Sequence, residues 1–161
     1  MIVIVMGVSG SGKTTVGKLL AASLNWDFVD ADDFHPAANI EKMSRGIPLD
    51  DADRMPWLRQ MQSAIGDWLQ AKKNAVLACS ALKATYRDLL CGDRVQMKLV
   101  YLKGDFELIS QRLQQRSNHY MKANLLSSQL AALEEPQNAI VIDASQPPEA
   151  IVQQIIDRLE I

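Results

Sequence analysis

The sequence predicts an α/β protein in three layers, with helices on both faces of a five-stranded parallel sheet. Three observations carry that reading. Five short apolar runs alternate along the chain with stretches of helical periodicity. The runs are apolar throughout rather than at every second residue, as expected of strands covered on both faces. A glycine-rich turn, Gly7-Val8-Ser9-Gly10-Ser11-Gly12-Lys13-Thr14, joins the first run to the first helical stretch.

Ile2 to Met6 is the first run, rich in β-branched residues, and reads as a buried strand. The turn after it matches G-x-x-x-x-G-K-[ST], a phosphate-binding loop. Its glycines let main-chain N–H groups point at phosphate oxygens, and the helix after it adds partial positive charge at its N-terminus. Candidate nucleotide contacts are Gly7, Val8, Ser9, Gly10, Ser11, Gly12, Lys13, Thr14 and Thr15. Lys13 reaches for the β- and γ-phosphates, and the Thr14 hydroxyl suits Mg²⁺. Val16, Leu19, Leu20 and Leu24 recur at helical spacing, predicting a helix over Lys13 to Leu24.

The second strand is Asp27 to Asp30, leading into Asp30-Ala31-Asp32-Asp33-Phe34-His35. On an extended segment Asp30 and Asp32 point the same way, one toward Mg²⁺ and the other toward a substrate hydroxyl. Helix capping with a solvated acidic turn is the other reading. One or two helices lie between Asn39 and Lys72. Trp57, Met61, Ile65 and Trp68 share one face there, better explained by core packing than by a cofactor stacked on the tryptophans. Arg54, in Asp50-Asp51-Ala52-Asp53-Arg54, is by itself a candidate for an ordinary surface ion pair.

The third strand, Ala75 to Cys79, leads into Ser80-Ala81-Leu82-Lys83, whose N–H groups and Lys83 ammonium suit an anionic substrate at the start of a helix over Lys83 to Leu90. No acidic residue ends this strand, which turns the search for a magnesium carboxylate to Asp30. Further on come a strand at Lys98 to Leu102, helices at Phe106 to Arg116 and Ala123 to Leu133, a strand at Ala139 to Asp143 and a helix at Pro148 to Leu159. The polar, basic stretch Arg112 to Lys122 reads either as a lid that carries cations onto the transferred phosphoryl group or as a solvated helix hairpin. Ligands of such sheets bind beyond the carboxyl ends of the strands, here after Met6, Val29, Cys79 and Leu102.

With 161 residues, 48% hydrophobic and 22% charged, the chain has the size and composition of one soluble domain. A formal net charge of −2 points to neither a nucleic-acid nor an anionic-membrane partner. No apolar run approaches the roughly 20 residues of a membrane span. Two cysteines without a framework spacing fit free thiols in a reducing cytoplasm.

Beyond the phosphate loop stand the runs Asp30-Ala31-Asp32-Asp33-Phe34-His35-Pro36, Asn39-Ile40-Glu41-Lys42-Met43, Asp53-Arg54 with Trp57-Leu58, Cys79-Ser80-Ala81-Leu82-Lys83 with Tyr86-Arg87-Asp88, Tyr101-Leu102 and His119-Tyr120-Met121. In order and spacing they resemble the bacterial gluconate kinases. The resemblance covers about residues 2 to 147. It implies a P-loop kinase fold with strand order 2-3-1-4-5, by analogy with the shikimate kinases, and a short lid at about 112–126. It implies ATP and Mg²⁺ as cofactors, D-gluconate as acceptor through its 6-hydroxyl, and a cytoplasmic homodimer. Carried onto this chain, it makes Lys13, Asp32 and Arg116 the catalytic candidates, with Asp32 as base. Thr14 and Asp30 hold the metal, Asp30 through water. Asp32, His35, Arg54 and Lys83 hold the sugar acid. Arg112 flanks adenine, and Gln146 and Pro147 border it.

Two other readings compete. A shikimate-type kinase is disfavoured because the turn after the third strand is Cys79-Ser80-Ala81-Leu82 rather than a glycine triplet. A non-enzymatic guanine-nucleotide switch is disfavoured because the chain contains neither D-x-x-G nor N-K-x-D.

Overall fold

A computed structural model describes residues 1–92, 95–115 and 125–161. The elements run β1 (Ile2–Met6), α1 (Lys13–Leu24), β2 (Asp27–Asp30), a 3₁₀ turn (Ala31–Phe34), α2 (Ala37–Ser44), α3 (Asp51–Gln70), β3 (Ala75–Ala78), α4 (Ala84–Leu90), β4 (Met97–Lys103), α5 (Phe106–Gln114), α6 (Leu125–Ala132), β5 (Ile140–Asp143) and α7 (Pro148–Leu159). All strand pairs are parallel, in the order β2-β3-β1-β4-β5. This is the α/β/α architecture and the strand order that the sequence predicts.

β1 lies at the centre, with Ile2 in register with Ala75 on one side and Met97 on the other. Side chains alternate across a strand, so β1 serves two cores. Ile2, Ile4 and Met6 face a layer with Trp57, Met61 and Ile65 of α3 and Leu90 of α4. Val3 and Val5 face α1 and α7 through Val16, Leu20, Ile151 and Ile155. Every β1 side chain is fully buried, which is why the run is apolar without alternation. Truncating Ile4 to alanine is expected to cost about 2–5 kcal/mol. The α3 stripe is core, as predicted for Trp57, Met61 and Ile65, with Trp68 half-buried at its end.

Two helices occupy the stretch between β2 and β3. α3 begins on a capping box, in which the Asp53 N–H donates to Asp50 Oδ1 at 2.7 Å and the Asp50 N–H to Asp53 Oδ2 at 3.1 Å. α5 stops at Gln114, two residues short of the predicted end, and α6 starts at Leu125. Arg116 and Ala123 lie outside the described residues. β3 ends at Ala78, although the Cys79 N–H still donates to Val5 O at 3.0 Å. Neither Cys79 nor Cys91 forms a disulfide among the described residues, and burial pushes the Cys79 thiol up to about 12. Among the described residues no helix is long and apolar enough to cross a membrane.

Candidate active site

The carboxyl ends of β1, β2 and β3 open into one cleft. Ser9, Gly10, Gly12, Lys13 and Thr14 form one wall. Asp32, His35, Arg54 and Trp57 also line the cleft, with Ser80 and Leu82 after β3 and Ser128 and Gln129 of α6.

The loop after β1 has the backbone its glycines allow. Gly12 caps α1 with φ +96°, a conformation that side-chain-bearing residues rarely adopt. A Cβ on Gly7 would stand 2.5 Å from Ser11 Oγ and 3.1 Å from Leu102 O. Val8 is buried against Leu82, Ile109, Leu113 and Leu126, so the loop is anchored by packing as well as by its ends. Ser9 and Ser11 are buried, and Thr15 is exposed on α1.

Asp30 sits at the end of β2, across from Thr14. The Thr14 hydroxyl donates to Asp30 Oδ2 at 2.9 Å, and Asp30 Oδ1 accepts the Asp32 N–H at 3.0 Å. Contrary to the sequence expectation, the chain does not stay extended past Asp30. It turns into a 3₁₀ helix over Ala31–Phe34 that Asp30 caps, because a side-chain oxygen satisfies an otherwise orphaned N–H. Capping and proximity to Thr14 are therefore both true of Asp30, and Asp32 reaches the cleft by the turn of the backbone rather than by strand alternation.

The hydroxyl of Thr14 and the carboxylate of Asp30 are hard oxygen donors of the kind Mg²⁺ takes alongside phosphate and water. Among the described residues no cluster of three or more histidine, cysteine or acidic side chains could hold a metal alone.

In the same cleft, His35 stacks on Trp57, ring centroids 4.2 Å apart and planes 9° from parallel. Trp57 donates its indole N–H to Ala31 O at 2.7 Å, so this core residue also braces the turn that carries Asp32. Burial lowers His35 to about 4, against the opposing pull of the Asp32 carboxylate.

Arg54 is not in a simple surface pair. It donates to the Tyr86 hydroxyl at 3.0 Å and lies over the same ring. The Tyr86 hydroxyl in turn donates to Asp51 Oδ1 in a short hydrogen bond, and Lys83 Nζ donates to that oxygen at 2.9 Å. The bonds from Tyr86 and then Lys83 lower the Asp51 carboxyl, and burial first raises Tyr86. Lys83 is thus held by Asp51 beside the cleft rather than in its wall.

The predicted adenine-side residues meet at the other end. Arg112 of α5 donates to Ser11 O at 3.2 Å and to Ala144 O at 2.6 Å, joining the phosphate loop to the loop after β5. Gln146 is half-buried in that loop, its amide donating to Asp143 O at 3.1 Å, and Pro147 precedes α7. Arg116 and His119, with the centre of the predicted lid, lie outside the described residues.

Three contributors are given no role by the sequence, although Asn39 and Tyr86 stand in runs shared with the gluconate kinases. Gln129 accepts the buried Ser9 N–H at 2.7 Å across 120 residues. Tyr86 links Arg54 to Asp51. Asn39 is buried behind His35. Gln129 and Asn39 share a signal that could have found them: each stands at a helical spacing from buried apolar residues, Leu126 and Met43 respectively, where a polar side chain requires a partner.

A phosphate loop lining one cleft with a carboxylate and a guanidinium, on a 2-3-1-4-5 parallel sheet, defines a P-loop kinase of small molecules. Known proteins agree. The shikimate kinase family matches residues 9–160. The chain is 48% identical over 134 residues to the thermosensitive gluconokinase of Escherichia coli (strain K12), covering 83% of this chain and 72% of that protein. It is 44% identical to the gluconokinase of Gluconobacter oxydans (strain 621H), covering 95% and 88%. A gluconokinase structure from Sinorhizobium meliloti 1021 superposes with a TM-score of 0.84 at 40% identity, covering 98% and 90%. The chain belongs to the shikimate kinase family and, within it, to the gluconokinases.

Proposed function

We propose that the cleft transfers the γ-phosphoryl group of ATP to the 6-hydroxyl of D-gluconate, giving 6-phospho-D-gluconate and ADP. The observation that carries this reading is that Lys13 and Thr14 line one cleft together with Asp32, His35 and Arg54. The gluconokinase relatives supply the identity of the acceptor.

In the step we envisage, the acceptor oxygen forms a bond to the γ-phosphorus as the bond to the β–γ bridging oxygen breaks. The hydroxyl proton passes to the Asp32 carboxylate. The loop N–H groups from Gly7 to Thr15 cradle the triphosphate. Lys13, with Arg116 from the lid, stabilises charge on the migrating group. Arg54 offers a fork of donors to the gluconate carboxylate, with His35 beside it and Lys83 at the rim. Arg112, Gln146 and Pro147 border the adenine. Thr14, and Asp30 through water, would hold Mg²⁺, which would supply neutralisation of the phosphate charge. We also propose a homodimeric, cytoplasmic enzyme with residues 1–161 as one domain and a lid at about 112–126.

A coupled ADP-release assay over gluconate, shikimate and nucleoside monophosphates, with ATP and GTP as donors, tests the reading. Gluconate with ATP is expected to give the highest kcat/KM. The assignment is wrong if another acceptor exceeds it by about ten-fold. A protein that binds GTP and turns over no acceptor would instead be a switch. Sedimentation at micromolar concentration tests the dimer.

A further inference from the structure

The amide of Asn39 faces both a main-chain carbonyl and the ring of His35. Asn39 is buried on α2. Its Nδ2 lies 2.9 Å from Asp53 O and 3.3 Å from His35 Nδ1. A carbonyl oxygen only accepts, so the Asn39 atom facing Asp53 must be the amide nitrogen with its hydrogens. The same nitrogen faces Nδ1 with its second hydrogen, so Nδ1 accepts. A neutral imidazole that accepts at Nδ1 carries its proton on Nε2. Burial, which lowers His35 to about 4, keeps the ring neutral at physiological pH.

Nε2 stands 4.0 Å from Asp32 Oδ1. That is too long for a direct hydrogen bond, yet one oxygen between them can bond to both. The ring has little freedom to turn away, stacked on Trp57 with its side chain only 5% exposed. The intervening oxygen has to accept from Nε2–H and donate to the carboxylate. An alcohol does both. A phosphate or carboxylate oxygen cannot donate, and an ammonium cannot accept.

We propose that His35 and Asp32 read the reacting hydroxyl as a matched donor and acceptor, and that Asn39 is the positioning residue that sets the polarity of the pair by fixing the imidazole tautomer. This rests on the acceptor-site reading given above. One lone pair of the hydroxyl oxygen accepts the His35 N–H, the other is left to attack phosphorus, and the hydrogen points at Asp32.

The chain has two histidines, so imidazole ¹⁵N NMR of the ligand-free enzyme at pH 7 resolves two rings, and His35→Gln identifies which is His35. The expected result is an unprotonated Nδ1 and a protonated Nε2. Asn39→Asp replaces the donor by an acceptor. It should move the proton to Nδ1 and lower kcat with gluconate by at least about ten-fold, as a wrong tautomer does in other enzymes, with ATP KM within about two-fold. If Asn39→Asp does not fold, Asn39→Ala carries the same test, the two ring nitrogens then sharing the proton. A wild-type ring protonated at Nδ1, or a variant that shifts the tautomer yet keeps its kcat, overturns the proposal. Failure of the gluconate assignment would appear separately, as no ADP release from the wild-type enzyme with gluconate.

Discussion

At the nucleotide end of the cleft, the groups facing the ligand are largely main-chain N–H groups of one contiguous loop, hung between a fully buried strand and a helix. At the acceptor end they are side chains, Asp32 and His35 after β2 and Arg54 on α3, with Asn39 on α2 and Tyr86 on α4 bonded to them. The first end depends on backbone shape and needs glycine at fixed places. The second depends on side chains holding one another, as in the chain Arg54–Tyr86–Asp51–Lys83. The nucleotide end should therefore be sensitive to few substitutions and the acceptor end to many, with effects that couple.

The sharpest test of that contrast is Lys13→Met. Lys13 is half-buried on the loop and has no structural hydrogen bond among those found in the described residues, so the variant should fold normally and lose about 10²-fold or more in kcat. Steady-state kinetics beside a thermal melt decide it. Unchanged kcat in a folded variant would remove the loop's electrostatic role. Asp32→Asn is second, keeping shape but losing basicity. A fall in kcat of about 10²-fold is expected, with gluconate KM within a few-fold. A near-normal kcat would place the proton acceptor elsewhere.

Arg54→Lys comes third. Lysine cannot make two parallel bonds to a carboxylate, and losing one charged hydrogen bond, about 1.5–3 kcal/mol, should raise gluconate KM roughly ten-fold or more. ATP KM should hardly move. If the variant weakens ATP and spares gluconate, Arg54 belongs to the nucleotide end and the division into two ends fails.

The fourth test crosses the two ends. Gln129→Met removes the acceptor of the buried Ser9 N–H. An unsatisfied buried donor costs about 1–3 kcal/mol, so the melting temperature should drop by several degrees, measured by calorimetry, even though Gln129 lies far along the chain from the loop. The smallest effect concerns pH. Unfolded His35 takes its proton below the ordinary 6.5, the folded one only below about 4. Between those values the unfolded state binds more protons, so stability falls as pH is lowered through that window and this group contributes no slope above it. Melts at pH 7 and pH 5 should therefore converge more closely in His35→Gln than in the wild type.

The strands and the phosphate loop were legible because their signals are local: a β-branched run, a spaced set of glycines, a helical repeat. β1, β2, α1 and α7 have the bounds that the sequence predicts. Asp30 was legible for the same reason, being one residue past an apolar run. The 3₁₀ turn after it was not, because it depends on Asp30 capping its own backbone and on Trp57, 26 residues on from Ala31, holding Ala31 O. Arg54 read as a surface charge because its partner Tyr86 is 32 residues away. The Gln129 bond to Ser9 spans 120 residues, and no local period carries such a pairing. The resemblance to the gluconate kinases named candidate acceptor-side residues but said nothing of which atoms they bond.

The sealing of β1 has a consequence for time as well as for geometry. Its five residues are wholly buried and bonded on both sides, so their amides should exchange with solvent only when the whole sheet comes apart. β2 lies at the edge of the sheet, its residues exposed or half-buried, and its amides are free to exchange through smaller, faster openings. On a hydrogen-exchange clock the platform beneath the phosphate loop would be the last part of the molecule to let water in, while the strand that delivers Asp30 and Asp32 opens and recloses many times first.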